Sequence, residues 1–189
     1  MYRKYPKDFS PALFLDRDGV LNKDFGYVHR PENFILYDDV LPFLKFVSNK
    51  EFNIIVVTNQ SGIGRGKYSE KQFWKLTDWM CENFSKQGVN IDSVYFSPYH
   101  PSKGKGEFKL HEDTRKPGSG MINHARENLS IDTQKSIIIG DRMSDMLAGL
   151  AAGIPKRILL DRKQTLEPSS INSAQTANIK SLWDARKFF

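Results

Sequence analysis

Cysteine is nearly missing from this chain of 189 residues, where Cys81 is the only one. A single thiol permits no internal disulfide, which excludes a stapled extracellular scaffold and leads us to expect a reducing cytosol. Long apolar runs are missing as well. The strongest, residues 54–57 and 137–139, fall far short of the ~20 residues that span a bilayer. The amino end, MYRKYPKDFSP, carries charge without an apolar signal core, so a cytoplasmic protein is expected. No repeat of fixed period and no low-complexity tract occurs, which excludes solenoids and arrays.

Aromatics are plentiful, with 13 Phe, 7 Tyr and 3 Trp in a chain that is 39% hydrophobic. Such a chain can bury enough apolar area to offset its ordering entropy, so disorder of the whole is excluded. Its length suits one domain, expected over residues 1–189 with a core at 12–160 and a polar extension at 161–189. Lys and Arg total 28 against 22 Asp and Glu, a net charge of +6. That excess suits a small phosphorylated substrate, a nucleic-acid backbone or simply a basic soluble surface, and charge does not choose among them.

Apolar runs at 12–15, 53–57, 93–96, 136–139 and 157–160 read as five buried strands. Between them lie helical patterns at 40–47, from Ser69 to about Gly88, at 120–129 and on through Ala152. Ser69 and Gln72 form a capping-box pair ahead of Phe73, Leu76, Met80 and Phe84, which share one face. Residues 161–177 turn polar, and 180–189 read as a terminal helix. Strands apolar throughout and alternating with helices predict an α/β fold with a parallel sheet covered on both faces. Ligands in such sheets bind where loops leave the carboxyl ends of the strands.

Four such loops carry reactive groups. Asp16-Arg17-Asp18-Gly19 sets two carboxylates beside one site while glycine turns the chain away. A calcium loop shares that start, but its further oxygen ligands are missing, and a pair that merely caps turns remains open. Thr58, Asn59, Gln60, Ser61 and Gly62 offer donors to an oxyanion, or form a turn. The spacing of Gly62, Gly64 and Gly66 fits neither nucleotide fingerprint. Arg115 and Lys116 could neutralise phosphoryl oxygens, and Asp141 with Asp145 could complete a magnesium site. Singly, each could be a solvated charge. Together, in chain order, they suit magnesium-dependent phosphoryl transfer through an aspartate.

These segments resemble the four motifs of the haloacid dehalogenase superfamily of phosphohydrolases. More closely, Asp16-Arg-Asp-Gly-Val-Leu-Asn22, Gly26-Tyr-Val-His29, the 58–67 loop and Arg115-Lys-Pro117 are similar to the bacterial heptose bisphosphate phosphatase branch, with histidinol phosphatase beside it. The resemblance spans about residues 12–160. It implies a three-layer α/β/α Rossmann-like sheet without a large cap domain, and a sugar phosphate as substrate. It further implies that Asp16 attacks phosphorus and that Asp18 serves as acid and then base, in a site that favours its neutral form first. Thr58, Asn59 and Gln60 would hold phosphoryl oxygens or substrate, Lys116 would neutralise charge, and Arg115, Tyr27 and His29 would face the sugar phosphate. Magnesium would be held by Asp16, the Asp18 carbonyl and Asp141, with Asp145 orienting that shell.

One departure stands out. Relatives of that branch carry a structural zinc on three cysteines and a histidine after the third strand, where this chain has Ser97, Tyr99, Glu112 and Thr114. Zinc is therefore expected to be absent, and the 97–114 loop to be ordered by packing and hydrogen bonds or to be mobile. His100, His111, Glu112 and Asp113 lack the thiolates of a substitute site. Cys81 and the Trp74 and Trp79 rings read as helix packing, and His124 has no assigned task. A DNA 3′-phosphatase, a histidinol phosphatase and a phosphosugar-binding module that lost turnover are the competing readings. A monomer with no membrane partner and no nucleic acid is expected.

Overall fold

The computed structural model describes residues 9–163 and 173–189. Residues 1–8 of the charged amino end and 164–172 of the polar stretch lie outside them. Six strands form one sheet: β1 (Ala12–Leu15), β2 (Asn53–Asn59), β3 (Ser93–Ser97), β4 (Ile137–Gly140), β5 (Lys156–Leu160) and β6 (Ala177–Ile179). Their order is β3-β2-β1-β4-β5-β6, and every pairing is parallel. The expected doubly covered parallel sheet is therefore what the chain forms. A sixth strand was not expected, because three residues of ordinary composition carry no periodic signal.

Alternation along the strands decides which helix covers which face. Leu13 and Leu15 of β1, with Ile54 and Val56 of β2, pack on α1 (Val40–Ser48) and α3 (Glu70–Lys86). Ala12 and Phe14, with Ile55 and Val57, face α4 (Gly120–Leu129) and α5 (Met143–Ala151) instead. Phe43, Phe73 and Phe84 are almost wholly buried, and each such side chain contributes about 2–3 kcal/mol by leaving water. The capping box is present: Gln72 N–H donates to Ser69 Oγ at 3.2 Å, and Ser69 N–H donates to Gln72 Oε1 at 2.8 Å.

Two expectations are corrected. The 58–66 stretch is not all loop, because Thr58 and Asn59 extend β2 and Ser61–Gly64 form a single helical turn, α2. The terminal helix is 3₁₀ in type, over Leu182–Phe188, and packs on α1 and beside β6. Phe189 closes that end with edge contacts to Phe43, Phe46 and Phe52.

Chain order changes direction at β1, which pairs with β2 on one side and β4 on the other. The crevice at the carboxyl ends of these strands is where a ligand is expected. Among the described residues, no helix is long and apolar enough to cross a membrane.

Candidate active site

The four reactive loops meet at that crevice. Asp16 directly follows β1, and its N–H donates to Ile139 O of β4 at 3.1 Å, so the sheet ladder itself aims the residue. Lys116 reaches in from the loop after β3 and is 3% exposed. Its ammonium donates to Val57 O at 2.7 Å and pairs with Asp16 Oδ1 at 2.9 Å and Asp145 Oδ1 at 2.5 Å. Asp145 also accepts from Arg142 N–H at 3.0 Å, which ties its carboxylate to the start of α5. Asp141 approaches from behind Gly19, whose φ of +88° and lack of a Cβ admit the carboxyl; any side chain there would overlap it.

Ligating atoms of Asp16, Asp141 and Asp145 lie within 4.8 Å of one another. Three carboxylates thus face one ammonium. Burial pushes Asp16 up to about 6, with Lys116 opposing and Asp145 adding to the rise. Burial, then Asp16 and Asp145, push Asp141 up to about 7. Lys116 is held above its ordinary range: burial works against its charge, but Asp145 and Asp16 outweigh burial. Apart from their ion pairs, the buried Oδ1 atoms of all three aspartates accept no hydrogen bond among the described residues. Hard oxygen donors with surplus negative charge fit a small divalent cation such as magnesium.

Asp18 lines the same cavity in a different setting. Arg17 Nη2 donates to both its oxygens at 2.8 and 2.7 Å, Asn22 Nδ2 to Oδ1 at 2.9 Å, and Gln60 Nε2 to Oδ2 at 2.9 Å. All these partners are donors to the Asp18 carboxyl. Arg17 itself is 1% exposed and anchored on Val28 O at 2.7 Å.

The crevice opens as a cavity of about 520 Å³ lined by Asp16, Asp18, Thr58, Lys116 and three arginines, Arg65, Arg115 and Arg142. Asn59, Gln60 and Tyr27 also reach it. The Asn59 amide also bonds the backbone of Lys116, donating one hydrogen to its O and accepting from its N–H, both at 3.0 Å. It holds the lysine loop. His29 does not line the cavity; it lies behind Tyr68, stacked on that ring at 4.9 Å, with Nδ1 at 2.7 Å from Tyr27 O. Arg115 donates to Tyr99 O at 2.9 Å. Burial, then Arg142 and Arg65, hold its guanidinium below the usual range, so like charges crowd this rim. That crowding suits a ligand with more than one anionic group.

A family model described as polynucleotide kinase 3 phosphatase matches residues 14–181. The chain belongs to that family. The relative from Haemophilus influenzae named D-glycero-beta-D-manno-heptose-1,7-bisphosphate 7-phosphatase is 46% identical over 149 residues, 79% of this chain and 80% of its own. The protein of the same name from Escherichia coli K12 is 42% identical over 164 residues, 87% of this chain and 86% of its own. Among solved structures, a putative HAD-like phosphatase from Mesorhizobium loti superposes with a TM-score of 0.84 at 32% identity, over 95% of this chain and 84% of that one. The D,D-heptose 1,7-bisphosphate phosphatase of B. bronchiseptica, solved with magnesium and phosphate, shares the fold, with a TM-score of 0.76 at 23% identity over 91% and 93% of the two chains.

In this member of the phosphatase family the 97–114 loop is held by packing and hydrogen bonds. Phe108 lies against Gly64 and Tyr99, Lys105 N–H donates to Gly64 O at 2.9 Å, and Thr114 Oγ1 donates to Ser97 Oγ at 3.4 Å. Among the described residues the aspartate trio is the one group of acidic, His or Cys side chains close enough to share an ion; His100, His111, Glu112 and Asp113 do not form another. Sequence reasoning missed Arg65, Arg142 and Tyr68 at the cavity. Arg142 had a signal in its place directly after Asp141, whereas Tyr68 had none before folding brought it to Gln60.

Proposed function

We propose that this chain is a magnesium-dependent phosphatase that works through a phosphoaspartate on Asp16 and removes the 7-phosphate of a D-glycero-D-manno-heptose 1,7-bisphosphate. The observation that carries the reading is the buried Asp16 carboxylate at a strand end, paired with Lys116, beneath a cavity rimmed by Arg65, Arg115 and Arg142. The names of the relatives support the substrate, and the crowded arginines support a second anionic group on it.

In the first half-reaction an Asp16 oxygen attacks phosphorus, the bond from phosphorus to the sugar oxygen breaks, and its electron pair leaves with that oxygen. Asp18 supplies the proton that makes this a hydroxyl. In the second half, water attacks the phosphoaspartate while Asp18, again a carboxylate, takes the water's proton and Asp16 is freed. Lys116 neutralises charge on the equatorial oxygens, and the Thr58 hydroxyl donates to them. Asp16, Asp141 and the Asp18 backbone carbonyl would hold magnesium, with Asp145 steering them, and the ion supplies charge neutralisation at the transferring group. The reading also takes the protein to be a cytoplasmic monomer, which the lone, half-buried Cys81 supports as regards the compartment.

The test is phosphate release with magnesium and with EDTA from heptose bisphosphate, histidinol phosphate and a 3′-phosphorylated oligonucleotide. The family description makes the last of these a real competitor. Magnesium-dependent release from the heptose alone, lost in Asp16→Asn, is the expected result. Comparable turnover by Asp16→Asn overturns the mechanism, and release from the oligonucleotide alone overturns the substrate.

A further inference from the structure

In the cavity wall a short chain of hydrogen bonds ends on Asp18. The Tyr68 phenol donates to Gln60 Oε1. Gln60 Nε2 spends its two hydrogens on Asp18 Oδ2 at 2.9 Å and Thr58 Oγ1 at 2.8 Å. Tyr68 is 6% exposed and Gln60 2% exposed, so water does not compete for these bonds.

An amide can face a carboxylate usefully in only one of its two orientations. Turned over, Gln60 would present its oxygen to Asp18, an acceptor facing an acceptor. A phenol is the group that blocks this, because at neutral pH it carries its proton and so selects the oxygen end of the amide. Accepting from Gln60 also leaves the Thr58 hydroxyl hydrogen free to point elsewhere. Nothing on the surface of the site holds Tyr68 in place; the fold does. Its ring stacks on His29 at an interplanar angle of 5°, packs with Ile63 and Phe73, and lies so close to Gly62 that a Cβ there would overlap it.

We propose that Tyr68 is a positioning residue of this site: through the Gln60 amide it holds the Asp18 carboxyl where that group can exchange a proton with the leaving oxygen. The inference rests on the phosphatase reading above and goes one residue further, to a side chain of the cavity wall that acts on Asp18 through Gln60.

Tyr68→Phe removes the donor and keeps the ring, so it isolates the hydrogen bond. Proton delivery matters to a sugar alkoxide and little to an activated phenolate, so the two leaving groups separate positioning from general damage. With heptose bisphosphate, kcat is expected to fall at least about tenfold with KM within about twofold, a part of the 10²–10⁴ that acid–base catalysis contributes. The pre-steady-state burst of nitrophenolate from 4-nitrophenyl phosphate is expected to slow no more than about threefold in the same protein. On a Gln60→Ala background, Tyr68→Phe is expected to cost nothing further, because its effect runs through that amide. Equal losses on both esters, an unchanged kcat, or additive losses in the double variant each overturn the proposal. Should Tyr68→Phe not fold, Gly62→Ala crowds the same ring from the other side, and absence of the selective loss there overturns it equally. A wild-type protein inert on both esters overturns the phosphatase reading itself, whereas an active wild type matched by Tyr68→Phe overturns this inference alone.

Discussion

Among the described residues, the charge centre at Asp39 and the one at Asp16, Asp141 and Asp145 are built on opposite terms. At the first, Asp39 accepts from Arg162 Nη1 and Nη2, both at 2.9 Å, from Ser181 Oγ at 2.6 Å and from Leu182 N–H at 2.7 Å. Burial works to raise its pKa, but the bonds from Arg162, Ser181 and Leu182 outweigh burial and hold it below the usual carboxylate range. At the second, Asp16, Asp141 and Asp145 share Lys116, and burial leaves Asp16 near 6 and Asp141 near 7. Asp39 staples the carboxyl-terminal turn to α1, and its partner Arg162 reaches Val20 O at 3.1 Å beyond the 16–19 loop. A satisfied carboxylate holds structure. Carboxylates left short of positive charge are waiting for something the chain does not itself contain.

Neutralising one member of each cluster should therefore move activity and stability in opposite ways. Asp16→Asn is expected to lower phosphate release by at least about a thousandfold, the scale of losing a nucleophile. Its metal-free melting midpoint should match or exceed the wild type, since surplus buried charge is removed. A midpoint clearly below wild type would show that the cluster is structural after all. Magnesium at about a hundred times its Kd should stabilise the wild type by about 2.7 kcal/mol and leave Asp141→Asn nearly unmoved, read by thermal scans with and without EDTA. Asp39→Ala should cost about 2 kcal/mol, about 5 °C in midpoint, while sparing kcat.

Acid and alkali should also separate the clusters. The stabilisation from Asp39 is present above its unfolded pKa and is lost as pH falls through its lowered folded pKa. Asp16 and Asp141 have raised folded pKa values. Their contribution is complete below the unfolded value of 3.8 and is lost as pH rises through about 6 and about 7. Metal-free protein should thus melt lower at pH 8 than at pH 5, and magnesium should flatten that slope. The smallest effect expected is that of Ser69→Ala, which removes the cap of α3. It should cost about 1 kcal/mol, read by the melting midpoint.

Much of this was legible before folding. Strands β1 to β5 announce themselves as apolar runs, and α3 by its capping box and spaced apolar face, because these signals repeat within a few residues. Asp16, Asp18, Lys116, Asp141 and Asp145 were legible as an ordered set of reactive groups at strand ends. Other features were not. Strand β6 exists because β5 offers it an edge, and Asn59 also holds the Lys116 loop because that backbone lies beside it. His29 left the cavity because Tyr68 stands in front of it.

The sequence by itself determined five of the six strands, the α-helices that cover them and the kinds of atom at the crevice, since local periodicity and residue chemistry need no knowledge of distant neighbours. Only the tertiary structure decided which charges are matched. Whether Asp39 meets Arg162, or Asp16 shares Lys116 with Asp145, depends on separations of 123, 100 and 29 residues being brought within a hydrogen bond's length. Burial and charge balance, which set what a carboxylate can do, exist only once those distances close.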